Sequence, residues 1–178
     1  MRARRVLARG MAAAAAGLLA CAPAAGQPSE TAVKAAFLTK FAAYVGWPHA
    51  PAGGALNLCI VGSDPFGGVI DDAARGQQVD GRAIAVRRMP GVDGTDGCHI
   101  AFVRGSSPGK TAEMLQALRG RPILTVTDAR GGPARGMIFF VIDGGRVRFH
   151  IDQSAAQQSG LSLSSRLLAI ALTVRTAR

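Results

Sequence analysis

The sequence predicts an α/β three-layer sandwich: a mixed, mostly parallel sheet with an antiparallel edge hairpin and helices on both faces. Three observations predict it. Short apolar runs alternate with stretches of helical periodicity, the pattern that lays helices against a parallel sheet. Two of those runs, ALNLCIVG (55–62) and CHIAFV (98–103), are continuous in apolar residues, as a strand buried on both faces requires. Later, MIFFVID and RVRFHID flank Gly144-Gly145, a two-residue hairpin signal.

Taken in order, ETAVKAAFLTKFAAYV (30–45) repeats apolar residues at Val33, Phe37, Phe41 and Val45 and reads as a helix. Ser29 and Glu30 suit its start, and Trp47-Pro48 ends it, because a residue before proline leaves helical geometry. A Pro/Gly loop leads to the strand at 55–62. In GSDPFGGVIDDAAR, Asp64 is expected to cap a helix with Pro65 at its first position. RAIAVRR (82–88) is an alternating, more exposed strand, followed by the glycine-rich loop GVDGTDG and the strand CHIAFVR. TAEMLQALRG is a helix stopped by Gly120, and PILTVTD (122–128) is a strand. After the hairpin, QSAAQQSG and LSLSSRLLAIALTV (161–174) read as helices, the second with Leu163, Leu167, Ile170 and Val174 on one stripe. Phe37, Phe41, Tyr44, Trp47 and Phe66 belong to the core or line an aromatic groove.

The 178 residues are 48% hydrophobic and 18% charged, which suits one domain with its own core. The first residues differ from the rest. Arg2, Arg4, Arg5 and Arg9 precede the apolar run MAAAAAGLLA and the small residues CAPAAGQ, the anatomy of a secretory signal peptide. Cleavage is expected after Gly26, leaving residues 27–178 as the mature domain. A second reading is lipoprotein processing, with Cys21 as the lipid anchor. The formal charge is +10. Removing residues 1–26 takes away four arginines and no acid, so 17 basic side chains face 11 acidic ones, a balance of +6. An exported basic protein meets acidic lipids, cell-wall polymers or an acidic protein face rather than nucleic acid, and its arginines are scattered.

Two cysteines remain after the leader, Cys59 and Cys98. In an oxidising compartment they form one disulfide, or else stay as two buried thiols in core strands. Cys98-His99 invites a metal site, but His49, His99 and His150 show no ligand spacing, and no metal is expected.

GSSPGKT (105–111) lies between strand and helix, where a phosphate-binding loop would, and ILTVTD ends in Asp128, where such sites hold magnesium. The spacing disagrees. That loop places four residues between its first glycine and the Gly-Lys pair. Here three separate Gly105 from Gly109, and one of them, Pro108, has no N–H. The stretch reads as a turn in which Ser106 or Ser107 and Pro108 introduce a helix. No nucleotide is expected.

Six segments in order carry a resemblance: AVKAAFLTKFAAYVGWP (32–48), LCIVGSDPFG (58–67), CHIAFV (98–103), ILTVTD (123–128), GMIFFVIDGGRVRFHID (136–152) and GLSLSSRLLAIA (160–171). Together they resemble the YfiR family of exported bacterial proteins. The resemblance implies a non-enzymatic periplasmic repressor without cofactors. Such a protein binds the periplasmic part of a membrane-bound diguanylate cyclase, or a related sensor kinase, and lowers the cyclic di-GMP output that favours biofilm growth. It also implies a homodimer, and it matches Cys59 and Cys98 to one family cysteine pair. A second pair known in some members is absent, since residues 120–178 contain no cysteine. His150 and Thr39 also depart from the family pattern. Repression by binding needs a surface, and the candidates are the charged hairpin face, Arg146, Arg148, His150 and Asp152, with Arg166 on the last helix. The alternative is a periplasmic module that binds a small ligand or cell-wall component on the loop face of the sheet.

Overall fold

The computed structural model describes residues 27–47 and 54–176. The expected signal peptide and Cys21 lie outside the described residues. In chain order the elements are α1 (Glu30–Phe41), β1 (Val45–Gly46), β2 (Leu56–Gly62), α2 (Gly68–Ala74), β3 (Gln78–Val79), β4 (Arg82–Met89), β5 (Ile100–Arg104), α3 (Pro108–Ala117), β6 (Leu124–Asp128), β7 (Ile138–Asp143), β8 (Arg146–Asp152), α4 (Gln153–Gln158), β9 (Ser162–Leu163), α5 (Ser165–Ala169) and β10 (Thr173–Arg175). Eight strands form one sheet in the order β10-β8-β7-β6-β5-β2-β4-β3, and β1 pairs with β9 in a small second sheet. From β4 through β2, β5 and β6 to β7 adjacent strands are parallel, the β3–β4 and β7–β8 pairs are antiparallel, and β10 is parallel to β8.

Alternation along each strand sorts the core into two layers. On one side Leu58, Ile60, Ile100, Phe102, Leu124, Val126, Phe140 and Phe149 pack with Leu38 and Phe41 of α1 and Ile70 of α2. On the other, Cys59, Val61, Ala101 and Val103 meet Met114 of α3 and Leu118 just beyond it. β2 and β5 are therefore covered twice, which is why residues 58–61 and 100–103 are apolar on both faces. Of the aromatic residues, Phe41 and Phe66 are buried, Phe37, Tyr44 and Trp47 are partly buried against the same core, and Phe37 stacks on Phe41 with ring centroids 5.9 Å apart.

Three boundaries differ from the sequence expectation. The first helix stops at Phe41, and Val45 instead pairs with Leu163 across β1 and β9. Asp64 does not cap α2. Its Oδ1 accepts the N–H groups of Phe66 (2.7 Å) and Gly67 (3.1 Å), holding a turn that delays the helix to Gly68. The expected helix at 161–174 is divided into β9, the five-residue α5 and β10. Its apolar stripe is real, but its members serve different partners: Leu163 pairs with Val45, Leu167 enters the core, and Val174 pairs with Ile151. Tertiary pairing overrides the helical period there.

The hairpin lies at the predicted end of the sheet. Gly144 and Gly145 take φ of 54° and 73°, the left-handed pair that a tight hairpin turn requires. β10 adds outside it, so β8 is flanked on both sides.

Candidate functional site

The chain leaves β2 for β4 on one side and then crosses to β5 on the other, so the sheet has a topological switch point between β2 and β5. Ligand crevices in α/β sheets form at the carboxyl ends of strands at such a point. Gly62 and Gly105 let the backbone close there, since a Cβ on Gly62 would overlap the Arg104 carbonyl oxygen and one on Gly105 would lie 2.6 Å from the Thr111 nitrogen.

GSSPGKT occupies this end, and its polar groups are engaged within the turn and the start of α3. Ser107 Oγ accepts the Lys110 N–H at 3.2 Å, Pro108 opens α3, and Gly105 N–H donates to Thr111 Oγ1 at 2.9 Å. Lys110 Nζ is 2.9 Å from Glu113. The stretch is a helix cap. Asp128 is also committed: its Oδ2 lies 2.7 Å from Lys34 Nζ and its Oδ1 accepts the Gly131 N–H at 3.0 Å. Both oxygens are engaged within the fold. The crevice beside them, about 500 Å³ in volume, is lined by Asp64, Arg104, Ser106 and Arg130. Asp64 is held by Arg88 and Arg130 by Glu30.

Lys34 is the residue here whose role the sequence conceals. It is only 5% exposed and bridges Asp128 on β6 to Glu30, whose Oε1 is 2.7 Å away. Glu30 in turn accepts Nε and Nη2 of Arg130 at 2.9 and 2.6 Å. The four charges lock the start of α1 to the loop after β6. The Arg130 and Lys34 hydrogen bonds lower the Glu30 pKa to about 2. Because the folded pKa lies below the unfolded one, this stabilisation is complete above pH about 5 and fades as pH falls toward 2. Glu30→Gln is expected to flatten the stability-versus-pH curve between those limits in urea titrations. An unchanged acid limb would contradict the assignment.

Cys59 of β2 and Cys98, two residues before β5, form a disulfide with Cα atoms 5.9 Å apart. Both are buried, in the layer facing α3. His99 turns away from a metal role: its Nδ1 faces the Asn57 N–H at 3.2 Å and its Nε2 faces Arg82 at 3.1 Å. Burial, and then Arg82, lower its pKa. Among the described residues no three His, Cys, Asp or Glu side chains group as metal ligands.

Of the expected surface residues, the structure brings together those on β8. Arg146, Arg148, His150 and Asp152 alternate with Val147, Phe149 and Ile151, and the latter join the core with α1. The charged members therefore face the opposite side, toward the β7–β8–β10 end that lies beyond the α3 layer. Across this face Arg135 sits over the Phe139 ring at 4.6 Å, the His150 ring stacks on Phe139 with centroids 6.4 Å apart, and His150 Nδ1 is 2.7 Å from Thr173 Oγ1. Asp152 has structural duties: its Oδ1 caps α4 through the Ala155 N–H at 3.0 Å, and its Oδ2 pairs with Arg175. Arg166 is exposed on α5, a different element from the β8 group. Arg135 and Arg175 were not visible in the sequence as members of this face. Arg135 lies in a glycine-rich loop, and Arg175 lies just past what reads as a helix.

A family model described as YfiR/HmsC-like matches residues 31–172. The chain belongs to the YfiR/HmsC-like family. The match spans both core layers, the disulfide, the Lys34–Asp128 clamp and the β8 face. No curated protein matches this YfiR/HmsC-like chain. Among its described residues, no helix is long and apolar enough to cross a membrane. The disulfide is consistent with an oxidising compartment.

Proposed function

We propose that this chain is an exported periplasmic regulator that binds the periplasmic region of a membrane-bound diguanylate cyclase, or a related sensor kinase, and holds it inactive. Cyclic di-GMP output falls while the two are bound. The observation that carries this reading is the YfiR/HmsC-like match over residues 31–172. The charged face of β8 supports it. Repression needs no proton-transfer machinery, only a surface with higher affinity for the inactive state of the partner. Arg146 is exposed, Arg148 and His150 are half-buried, and the strand is held rigidly between β7 and β10. In this reading Arg146 and Arg148 meet acidic groups on the partner, and the working form is a homodimer.

The test is co-expression of the exported chain with a membrane-bound diguanylate cyclase of its own organism. The expected result is co-purification and a fall in cellular cyclic di-GMP. Arg146→Glu with Arg148→Glu is expected to weaken capture about tenfold or more with an unchanged melting temperature, as charge reversal at an interface does. A wild-type chain that neither captures the cyclase nor lowers cyclic di-GMP would sink the reading.

A further inference from the structure

A second concavity, of about 530 Å³, opens between the C-terminal end of α3, the loop before β7, and α4. Its wall combines apolar surface from Leu115, Met137 and Ala155 with three guanidinium-bearing residues, Arg119, Arg135 and Arg175. Asp152 is the one acidic side chain among the described lining residues, and it is already paired with Arg175. Neither Arg119 nor Arg135 forms an ion pair with a described residue, and both are exposed. Arg135 is held in place by its position over Phe139. In the crevice at the switch point Arg130 is neutralised by Glu30, which leaves Arg104 as its one guanidinium without an ion pair among the described residues. The α3–α4 cleft sets two guanidinium groups that have no ion pair among the described residues over an apolar wall.

We propose that this cleft binds a small organic anion, a carboxylate or phosphomonoester carried on an apolar body. The guanidinium groups form paired N–H contacts with the anionic head, for which their planar fork is suited. Leu115, Met137 and Ala155 take the apolar part. A cavity of this size accommodates a molecule of one ring and its charged group. The site is independent of the repressor reading: it is a property of the chain alone and needs no membrane partner.

The experiment is calorimetric titration of the mature protein with phenyl phosphate, benzoate, inorganic phosphate and benzyl alcohol. Saturable one-to-one binding is expected for phenyl phosphate or benzoate, tighter than for inorganic phosphate, with none for benzyl alcohol. Arg119→Gln with Arg135→Gln is expected to weaken it about tenfold or more, as loss of charge-assisted hydrogen bonds does. Arg104→Gln at the other crevice is expected to leave it unchanged. Absence of anion binding by the wild type overturns the proposal, as does binding that survives the double substitution. If the double variant instead loses only its membrane partner, the cleft serves an acidic protein segment and the small-anion proposal is wrong. Melting temperatures of all variants within about 2 °C of wild type, a shift of order 1 kcal/mol or less, separate these outcomes from misfolding.

Discussion

Lys34→Met is expected to destabilise the protein by about 3–5 kcal/mol, because it leaves the Asp128 carboxylate buried without its cation. Asp128 is only 3% exposed, and its Oδ2 has Lys34 Nζ at 2.7 Å. The remaining Gly131 N–H on Oδ1 does not compensate for the lost charge. Adding Asp128→Asn should recover most of the loss, since the neutral amide keeps an oxygen for the Gly131 N–H and no longer needs a counter-ion. Urea unfolding of the two variants measures this. Equal destabilisation in the single and the double variant would mean that the loss comes from packing and not from the unpaired charge. Buried pairs are weak contributors to net stability when both partners can be replaced, so the double variant is the informative one.

The second large effect is expected at the disulfide. Cys59 and Cys98 are separated by 39 positions, and closing a loop of that length contributes about 4 kcal/mol in the chain-entropy picture. Cys59→Ser with Cys98→Ser, or reductant on the wild type, should therefore lower the melting temperature by about 10 °C for a domain of this size. The serine variant adds a cost of its own, because Cys59 is fully buried in the α3 layer and two hydroxyls there lack prepared partners. Cys59→Ala with Cys98→Ala isolates the cross-link. An alanine variant as stable as the oxidised wild type would remove the bond from the list of stabilising features.

The hairpin and the GSSPGKT stretch show what local chemistry makes legible. Gly144-Gly145 between alternating strands allows few structures other than a tight turn, because only residues tolerant of positive φ close it. Pro108 and the short spacing after Gly105 likewise predict a cap and not a phosphate loop, and Ser107 supplies that cap. Both patterns depend on a few adjacent residues. The C-terminal segment was less legible for the opposite reason. Leu163, Leu167, Ile170 and Val174 are spaced as on a helix, yet Val174 is held by Ile151 of β8 and Leu163 by Val45, more than a hundred residues earlier in the chain. No local signal reports those partners.

The candidate site divides in the same way. Alternation in RVRFHID places Arg146, Arg148, His150 and Asp152 on one face without any knowledge of the neighbours. It does not reveal that Asp152 is occupied by α4 and Arg175. Lys34 looks like a solvated residue of an amphipathic helix, and Asp128 like a magnesium ligand. Only their meeting across 94 positions turns them into a clamp.

By itself, then, the sequence determined the α/β class, the doubly buried strands, the hairpin and the candidate cysteine pair, because each rests on periodicity, backbone tolerance or counting. The tertiary structure decided which charges are spent inside the fold and which remain free. That depends on long-range neighbours: a buried charge must find its counter-ion wherever the chain brings one, as Asp128 finds Lys34, while Arg119 and Arg135 have no ion pair among the described residues.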